Sequence, residues 1–189
     1  MLGQASLFPP DMALPLRKRV SLERISVADA RYTLEKFHYL HRTRTGRQIN
    51  YAVLIDGVVD GVITYAYPMT SAPIAGVPSD ELLEFSRLFL YQNIPHTASC
   101  AIGQSIRRIV RDWMAEFPDA KTPRLIVSWS DTTRHAGTVY KASNFEWLRR
   151  SKGAPHRSPS VRNSRWGLTV RVNHSDYGND KDCWIYRLG

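Results

Sequence analysis

Residues 49–67 read Ile-Asn-Tyr-Ala-Val-Leu-Ile-Asp-Gly-Val-Val-Asp-Gly-Val-Ile-Thr-Tyr-Ala-Tyr. Two runs rich in β-branched and aromatic side chains, 49–55 and 58–67, flank Asp56-Gly57, a dipeptide that supplies the positive φ angles of a tight hairpin turn. The stretch therefore predicts two paired strands. Upstream lies a basic segment, His41-Arg-Thr-Arg-Thr-Gly-Arg47, and before it a helix over 27–37 with Ser26 as N-cap. Residues 20–25 alternate apolar and polar positions as a half-buried strand does. The first sixteen residues hold Pro9, Pro10 and Pro15 and read as an extended arm. The remainder, 17–189, reads as one domain.

Downstream, residues 82–91 form a strand interrupted by Glu84, Ser86 and Arg87. From Ser99 the residues Ile102, Ile106, Ile109, Val110, Trp113 and Phe117 recur at helical spacing until Pro118 stops them. Residues 124–129 are a short apolar strand, and Ser130-Asp131-Thr132 supplies capping chemistry for a second helix through about Ser143. Strands follow at 146–150, 166–172 and 183–188, the first two enclosing a basic loop. This order predicts an α/β domain, a mixed central β-sheet flanked by helices. Right-handed crossovers make the two later strands parallel neighbours, with a cleft opening between Tyr91 and Trp129.

The 189 residues carry a formal charge of +9, 43% hydrophobic and 11% aromatic residues. That is enough apolar material for one core, and the excess positive field favours a polyanionic partner, nucleic acid first. Cys100 and Cys183 match neither a disulfide framework nor a zinc spacing. No apolar run is long enough to cross a bilayer, and residues 1–10 lack the pattern of a signal peptide. A soluble protein of a reducing cytoplasm is expected.

The last helix closes Val139-Tyr-Lys-Ala-Ser-Asn-Phe145. That ending and the element order resemble the GNAT N-acetyltransferase superfamily, whose comparable helix often ends Tyr-x-x-x-Gly-Phe. Asn144 stands where the glycine would be, a tolerable change because Asn also enters the left-handed conformation. More specifically, four pieces resemble the Mom family of phage DNA-modification proteins: His38-Tyr39 before a basic loop, Leu83-Glu-Phe-Ser-Arg-Leu88, Ser99 opening the long helix, and Ser128-Trp-Ser-Asp131 leading to Gly137-Thr-Val-Tyr140. The resemblance implies conversion of DNA adenine to an N6-carbamoylmethyl derivative, protection of phage DNA from host restriction, and residence in the host cytoplasm. One departure concerns the acyl donor. The stretch Asn93-Ile-Pro-His-Thr-Ala-Ser-Cys-Ala-Ile-Gly103 has one late glycine instead of the glycine-rich turn that wraps coenzyme A pyrophosphate. The donor is left open between acetyl-CoA and glycyl-tRNA, the latter making charged tRNA a possible second partner.

With that resemblance, Tyr140, Asp131, Tyr39 and His38 are the catalytic candidates. A phenol is protonated at neutral pH and can give a proton to a leaving group; the alternative is a core tyrosine. Asp131 can accept hydrogens from an exocyclic amine, or simply cap the helix. Arg87, Ser99, Gly103 and Ser130 are candidates for holding the donor. A base outside the stack needs aromatic faces, for which Tyr39, Tyr65, Tyr67 and Trp129 are available. Arg42, Arg44 and Arg47 form one basic cluster, and Arg149, Arg150, Lys152, Arg157, Arg162 and Arg165 a second, both suited to phosphate. Strand alternation sends Glu84 and Arg87 to opposite faces. His38 and His41 lack companion ligands, so no metal is expected. An acetyl-CoA-dependent enzyme for a protein or small amine, or a noncatalytic DNA-binding module, remain as alternatives.

Overall fold

The hairpin forms as its turn chemistry requires. In a computed structural model describing residues 14–153, 162–163, 169–170 and 178–189, Asp56 and Gly57 take φ of 51° and 79°. They join β2 (Gln48–Ile55) to β3 (Val58–Ala66), with Ile55 opposite Val58. A short helix α1 (Leu16–Arg19) leads into β1 (Val20–Ile25), which pairs antiparallel with β2. Arg19 closes on Asp56 at 2.6 Å beside the turn. Helix α2 (Val27–Phe37) begins where the cap placed it, the Ser26 hydroxyl accepting from the Asp29 N–H at 3.1 Å. Most of the expected arm, and Arg157, Arg165 and Trp166, lie outside the described residues.

The other elements are β4 (Leu82–Leu90), α3 (Thr97–Glu116), β5 (Leu125–Asp131), α4 (Thr138–Ala142), β6 (Glu146–Ser151), the two-residue pair β7 (Arg162–Asn163) and β8 (Thr169–Val170), and β9 (Lys181–Arg187). Seven strands make one mixed sheet in the order β1-β2-β3-β4-β5-β9-β6. Ile102, Ile106, Ile109 and Trp113 of α3 bury themselves against Tyr51, Ile63, Tyr65 and Phe85 on one face. Ala30 and Leu34 of α2 cover Val62 on the other. Among the described residues no helix is long and apolar enough to cross a membrane.

Three expectations are corrected by this packing. Tyr65 is not a base-stacking surface: it is fully buried, its hydroxyl 2.7 Å from that of Ser105 in α3. Strand alternation puts Tyr67 on the same side, edge-on to Trp113 at 5.1 Å. Second, the helix expected from Ser130 starts later. The strand runs on through Asp131, which pairs with Lys181, and the capping chemistry of Asp131 is spent on a turn. Its Oδ1 accepts from the Thr133 N–H at 2.9 Å and the Thr133 hydroxyl at 2.6 Å. Helix α4 then begins after Gly137, at φ 75°. It ends at Ala142, and Asn144, just past its C-cap Ser143, takes the left-handed conformation expected of it, at φ 60°.

The third correction concerns β4. Tyr65 faces Phe85 but Thr64 faces Arg87, so Ser86 is an extra residue, a β-bulge. Ala66 and Thr64 lie on one face of β3, and their partners Glu84 and Arg87 therefore share a face too. Alternation across the bulge does not separate them.

A Cβ on Gly137 would lie 2.2 Å from the Trp184 ring. Overpacking and the left-handed backbone together predict that Gly137→Ala destabilises the protein by about 2–4 kcal/mol, read as a lower urea midpoint at unchanged m.

Candidate active site

β4 and β5 run parallel but stay paired only from Leu82 opposite Leu125 to Glu84 opposite Val127. Beyond that they part, and a cleft of about 940 Å³ opens at the fork. Its walls are the two strands, the end of α2, the loop through Arg42 and Arg44, and Tyr140 of α4.

At the fork the missing backbone pairing is bridged by a side chain. The Ser128 hydroxyl donates to the Phe85 carbonyl at 2.7 Å and lies 2.9 Å from the Tyr140 hydroxyl. A serine has one hydrogen to give, so with it spent on Phe85, Tyr140 is the donor to Ser128. The Tyr140 ring is held by stacking on Trp184, centroids 5.2 Å apart and planes 5° apart, and by the edge of Phe145 at 5.6 Å. Trp184 is itself pinned by its Nε1–H donating to Ser130 at 2.9 Å. Burial pushes the Tyr140 phenol up to about 12, the Ser128 bond working against it and Tyr39 and Glu84 adding to it. It is a protonated, oriented donor at neutral pH.

Sequence reasoning assigned Ser128 no role. The available signal was a hydroxyl inside an apolar strand, a buried group that must find a partner.

Glu84 sits in the floor, its residue only 3% exposed. One of its carboxylate oxygens takes both Nε and Nη2 of Arg44; the other, Oε2, is buried without a partner among the described residues. Arg87 lies alongside, where burial and the neighbouring Arg44 lower its guanidinium to about 10 while Glu84 supports its charge. Glu84 was passed over as a site residue because alternation was expected to turn one of the pair away.

His38 is buried and lowered to about 4, by burial first and then by Arg87, His135 and His41. Its Nδ1 accepts the Leu40 N–H at 3.1 Å, which makes it the neutral Nε2–H tautomer. His41 instead bonds through Nδ1 to the Glu35 carbonyl at 2.9 Å, closing the end of α2. Among the described residues no group of His, Cys, Asp and Glu is placed to hold a metal. A histidine kept neutral stabilises the fold fully above its ordinary value of about 6.5, and that stability is lost as pH falls towards about 4. His135 is lowered as well, chiefly by burial, and adds in the same direction. Urea midpoints are expected to fall from pH 6.5 to 4.5, less steeply in His38→Gln.

Tyr39 bridges the cleft mouth. Its ring stacks on His38 at 4.5 Å, reaches His135 at 5.8 Å, and carries the Arg134 guanidinium at 4.8 Å. Trp129, on β5, also lines the cleft. Asp131 also lines the cleft, but it is engaged: besides Thr133, Asn179 donates to its Oδ2 at 2.9 Å. Burial raises its pKa, but these hydrogen bonds outweigh that and hold it below the ordinary carboxylate value.

The remaining predicted residues are not gathered here. Arg47 is turned away, paired with Asp119 at 2.5 Å. Arg149 and Arg150 lie on the far edge strand β6, with Lys152 just beyond it, and Arg150 pairs with Asp182 at 2.8 Å. The four predicted donor-binding residues divide. Arg87 and Ser130 line the cleft, whereas Ser99 and Gly103 line a second groove of about 160 Å³ between α3 and the end of α4, beside Arg107.

The residues before α3 bear on a phosphate-containing donor. His96 caps α3 at φ 69°, the left-handed backbone that a glycine would otherwise supply. The Thr97 hydroxyl behind it is buried without a partner among the described residues. His96 thus takes a conformation usually left to glycine at the start of α3, and Arg107 lines the neighbouring groove.

Solved structures of similar fold are acetyltransferases. They include RimL, the ribosomal L7/L12 α-N-protein acetyltransferase in complex with coenzyme A (TM-score 0.57, 9% identity, 92% of this chain and 97% of that one). Arabidopsis thaliana NAA60 in complex with acetyl-CoA matches with TM-score 0.55 and 13% identity, over 89% of this chain and 98% of that one. Vibrio cholerae spermidine N-acetyltransferase in complex with CoA and spermine matches with TM-score 0.53 and 8% identity, over 90% and 96%. At these identities the likeness is one of fold, and the fold is that of the GNAT acetyltransferases. No curated protein matches the sequence. The Mom protein family model matches residues 19–183, which takes in the whole of the forked cleft and the helix that carries Tyr140; the chain belongs to the Mom protein family.

Proposed function

We propose that this chain transfers an acyl group to the exocyclic amine of adenine in DNA, giving an N6-carbamoylmethyl-type base that host restriction does not recognise. The observation that carries the reading is the phenol of Tyr140, held by Ser128 at the floor of a basic cleft where the sheet forks. Adenine leaves its stack and enters between Tyr39 and Trp129, with Arg42, Arg87 and Lys181 beside it. Glu84, whose Oε2 is buried at the cleft floor without a partner among the described residues, is the acceptor for an amine hydrogen, while Asp131 holds the 132–135 turn. Tyr140 gives its proton to the leaving group, and Ser128 turns its own hydrogen from Phe85 to the phenolate.

The donor reaches the fork from the α3 side, where Ser99, Gly103 and Arg107 line the smaller groove. Acetyl-CoA would supply a thioester, whose thiolate leaves readily, but its acetyl group carries no nitrogen and the product would be N6-acetyladenine. Glycyl-tRNA would supply an ester, whose alkoxide needs the proton more, and brings the second nitrogen that a carbamoylmethyl group requires. With a glycyl donor, the product forms if the new amine attacks adenine C6 and displaces the original nitrogen, which becomes the terminal amide. Nitrogen-15 glycine then labels the ring-bound nitrogen; label in the terminal amide alone rules out this route.

Nucleoside mass spectrometry of DNA from cells expressing the protein tests the function, followed by reconstitution with acetyl-CoA against charged tRNA. Unmodified adenine, with Tyr140→Phe indistinguishable from the parent, overturns it. The left-handed turn at His96 favours a second reading, an acetyl-CoA-dependent N-acetyltransferase for a protein or small amine. Saturable coenzyme A binding with no DNA binding at moderate salt would select that one.

A further inference from the structure

Beyond its lip the cleft continues as an aromatic surface. Phe37 and Phe89 line the cleft and stack at 6.1 Å with 16° between their planes. Tyr91, just past β4, meets both edge-on, at 5.2 and 4.9 Å. Lys36 lies 5.3 Å from the ring centres of both Phe37 and Tyr32, and donates to the Tyr32 hydroxyl at 3.1 Å. Phe37, Tyr91 and Tyr32 remain 41%, 48% and 63% exposed. So contiguous a set of rings held open to water is a cost to the fold that a ligand's own π-face offsets.

The charge around these rings narrows the ligand. Among the described residues the Lys36 ammonium meets a hydroxyl and two rings, not a carboxylate. Glu35 on the same helix is turned to Arg31, at 3.9 Å. Aromatic faces with an unneutralised cation match a base and its phosphate. The base must be unpaired, because bases stacked within a duplex have no open face. Extracting one base also strips a stacking partner from the next base along the strand.

We infer that the surface formed by Phe37, Phe89 and Tyr91 is a stacking platform for unpaired DNA, carrying the base next to the one in the cleft, with Lys36 on its phosphate. The inference rests on the DNA reading above and adds the path of the strand to it. Tyr32 extends the platform along α2.

Fluorescence anisotropy of the full chain with a short labelled adenine-containing oligodeoxynucleotide tests it. Tyr91→Ala is expected to weaken binding roughly 5- to 100-fold, Tyr91→Trp to restore it, and both to melt with the parent. Lys36→Gln is expected to flatten the salt dependence by about one counterion. If the parent binds and Tyr91→Ala and Lys36→Gln bind equally well with the same salt slope, the platform is wrong while the DNA reading stands. A parent that binds no DNA removes that reading and the platform together. Loss confined to an oligoribonucleotide overturns the platform as a DNA surface.

Discussion

The Tyr140→Phe protein is expected to transfer its acyl group about 10²- to 10⁴-fold more slowly than the parent, the range by which one positioned proton donor accelerates a reaction. The phenylalanine ring keeps the stack on Trp184 and the edges of Phe145 and Phe85. Only the hydroxyl bond to Ser128 is lost, at about 1 kcal/mol of stability. The loss should therefore fall on kcat with little change in KM or melting temperature. Ser128→Ala should show a smaller fall in rate, because the phenol remains but loses its orientation and the hydrogen bond that stabilises its phenolate. A Tyr140→Phe enzyme with parental kcat would remove the phenol from the chemistry and leave Tyr140 as part of the packing.

Glu84→Ala is expected to have the larger effect on folding. Its carboxylate holds Arg44 and supports the charge of the neighbouring Arg87, and both guanidinium groups are largely withdrawn from water. Removing the anion leaves two cations facing each other in the cleft floor, a situation that destabilises proteins by roughly 3–5 kcal/mol. Urea unfolding measures this directly. Glu84→Gln keeps the volume and an acceptor for Arg44 while abolishing the negative charge, so it separates folding from chemistry. It should be less destabilised than the alanine variant yet as slow in acyl transfer. Near-parental activity in Glu84→Gln would return the acceptor role to Asp131.

What was legible in the sequence followed the range over which each signal acts. The Asp56-Gly57 turn and the Ser26 cap are local chemistry, complete within four residues, and both elements appear as expected. Tyr65 lies within a predicted strand and Tyr39 before a basic loop, yet neither position in the sequence says which ring is covered. Only the position of α3 over one sheet face decides that Tyr65 is sealed and Tyr39 open. Asp131 offered the same capping chemistry to a turn as to a helix, and the pairing with β9, some fifty residues away, made it the turn. Glu84 was misread because an alternating pattern carries no mark of where one extra residue breaks it. The parting of β4 from β5 was anticipated as a cleft, but Ser128 as its bridge depends on a carbonyl in another strand.

The extra residue at Ser86 works as a parity switch. On one side of it odd-numbered side chains enter the core, as Phe85 does; on the other, even-numbered ones do, as Leu88 does. Removing one residue there would not move Arg87 by a small distance: it would carry Arg87 through the sheet to the side that packs on α3 and bring Leu88 to the face that Glu84 and Arg87 share. The composition of this strand is thus forgiving in a way that its length is not. Members of the family that keep the same side chains but differ by one residue at this point would present a different floor to their substrate.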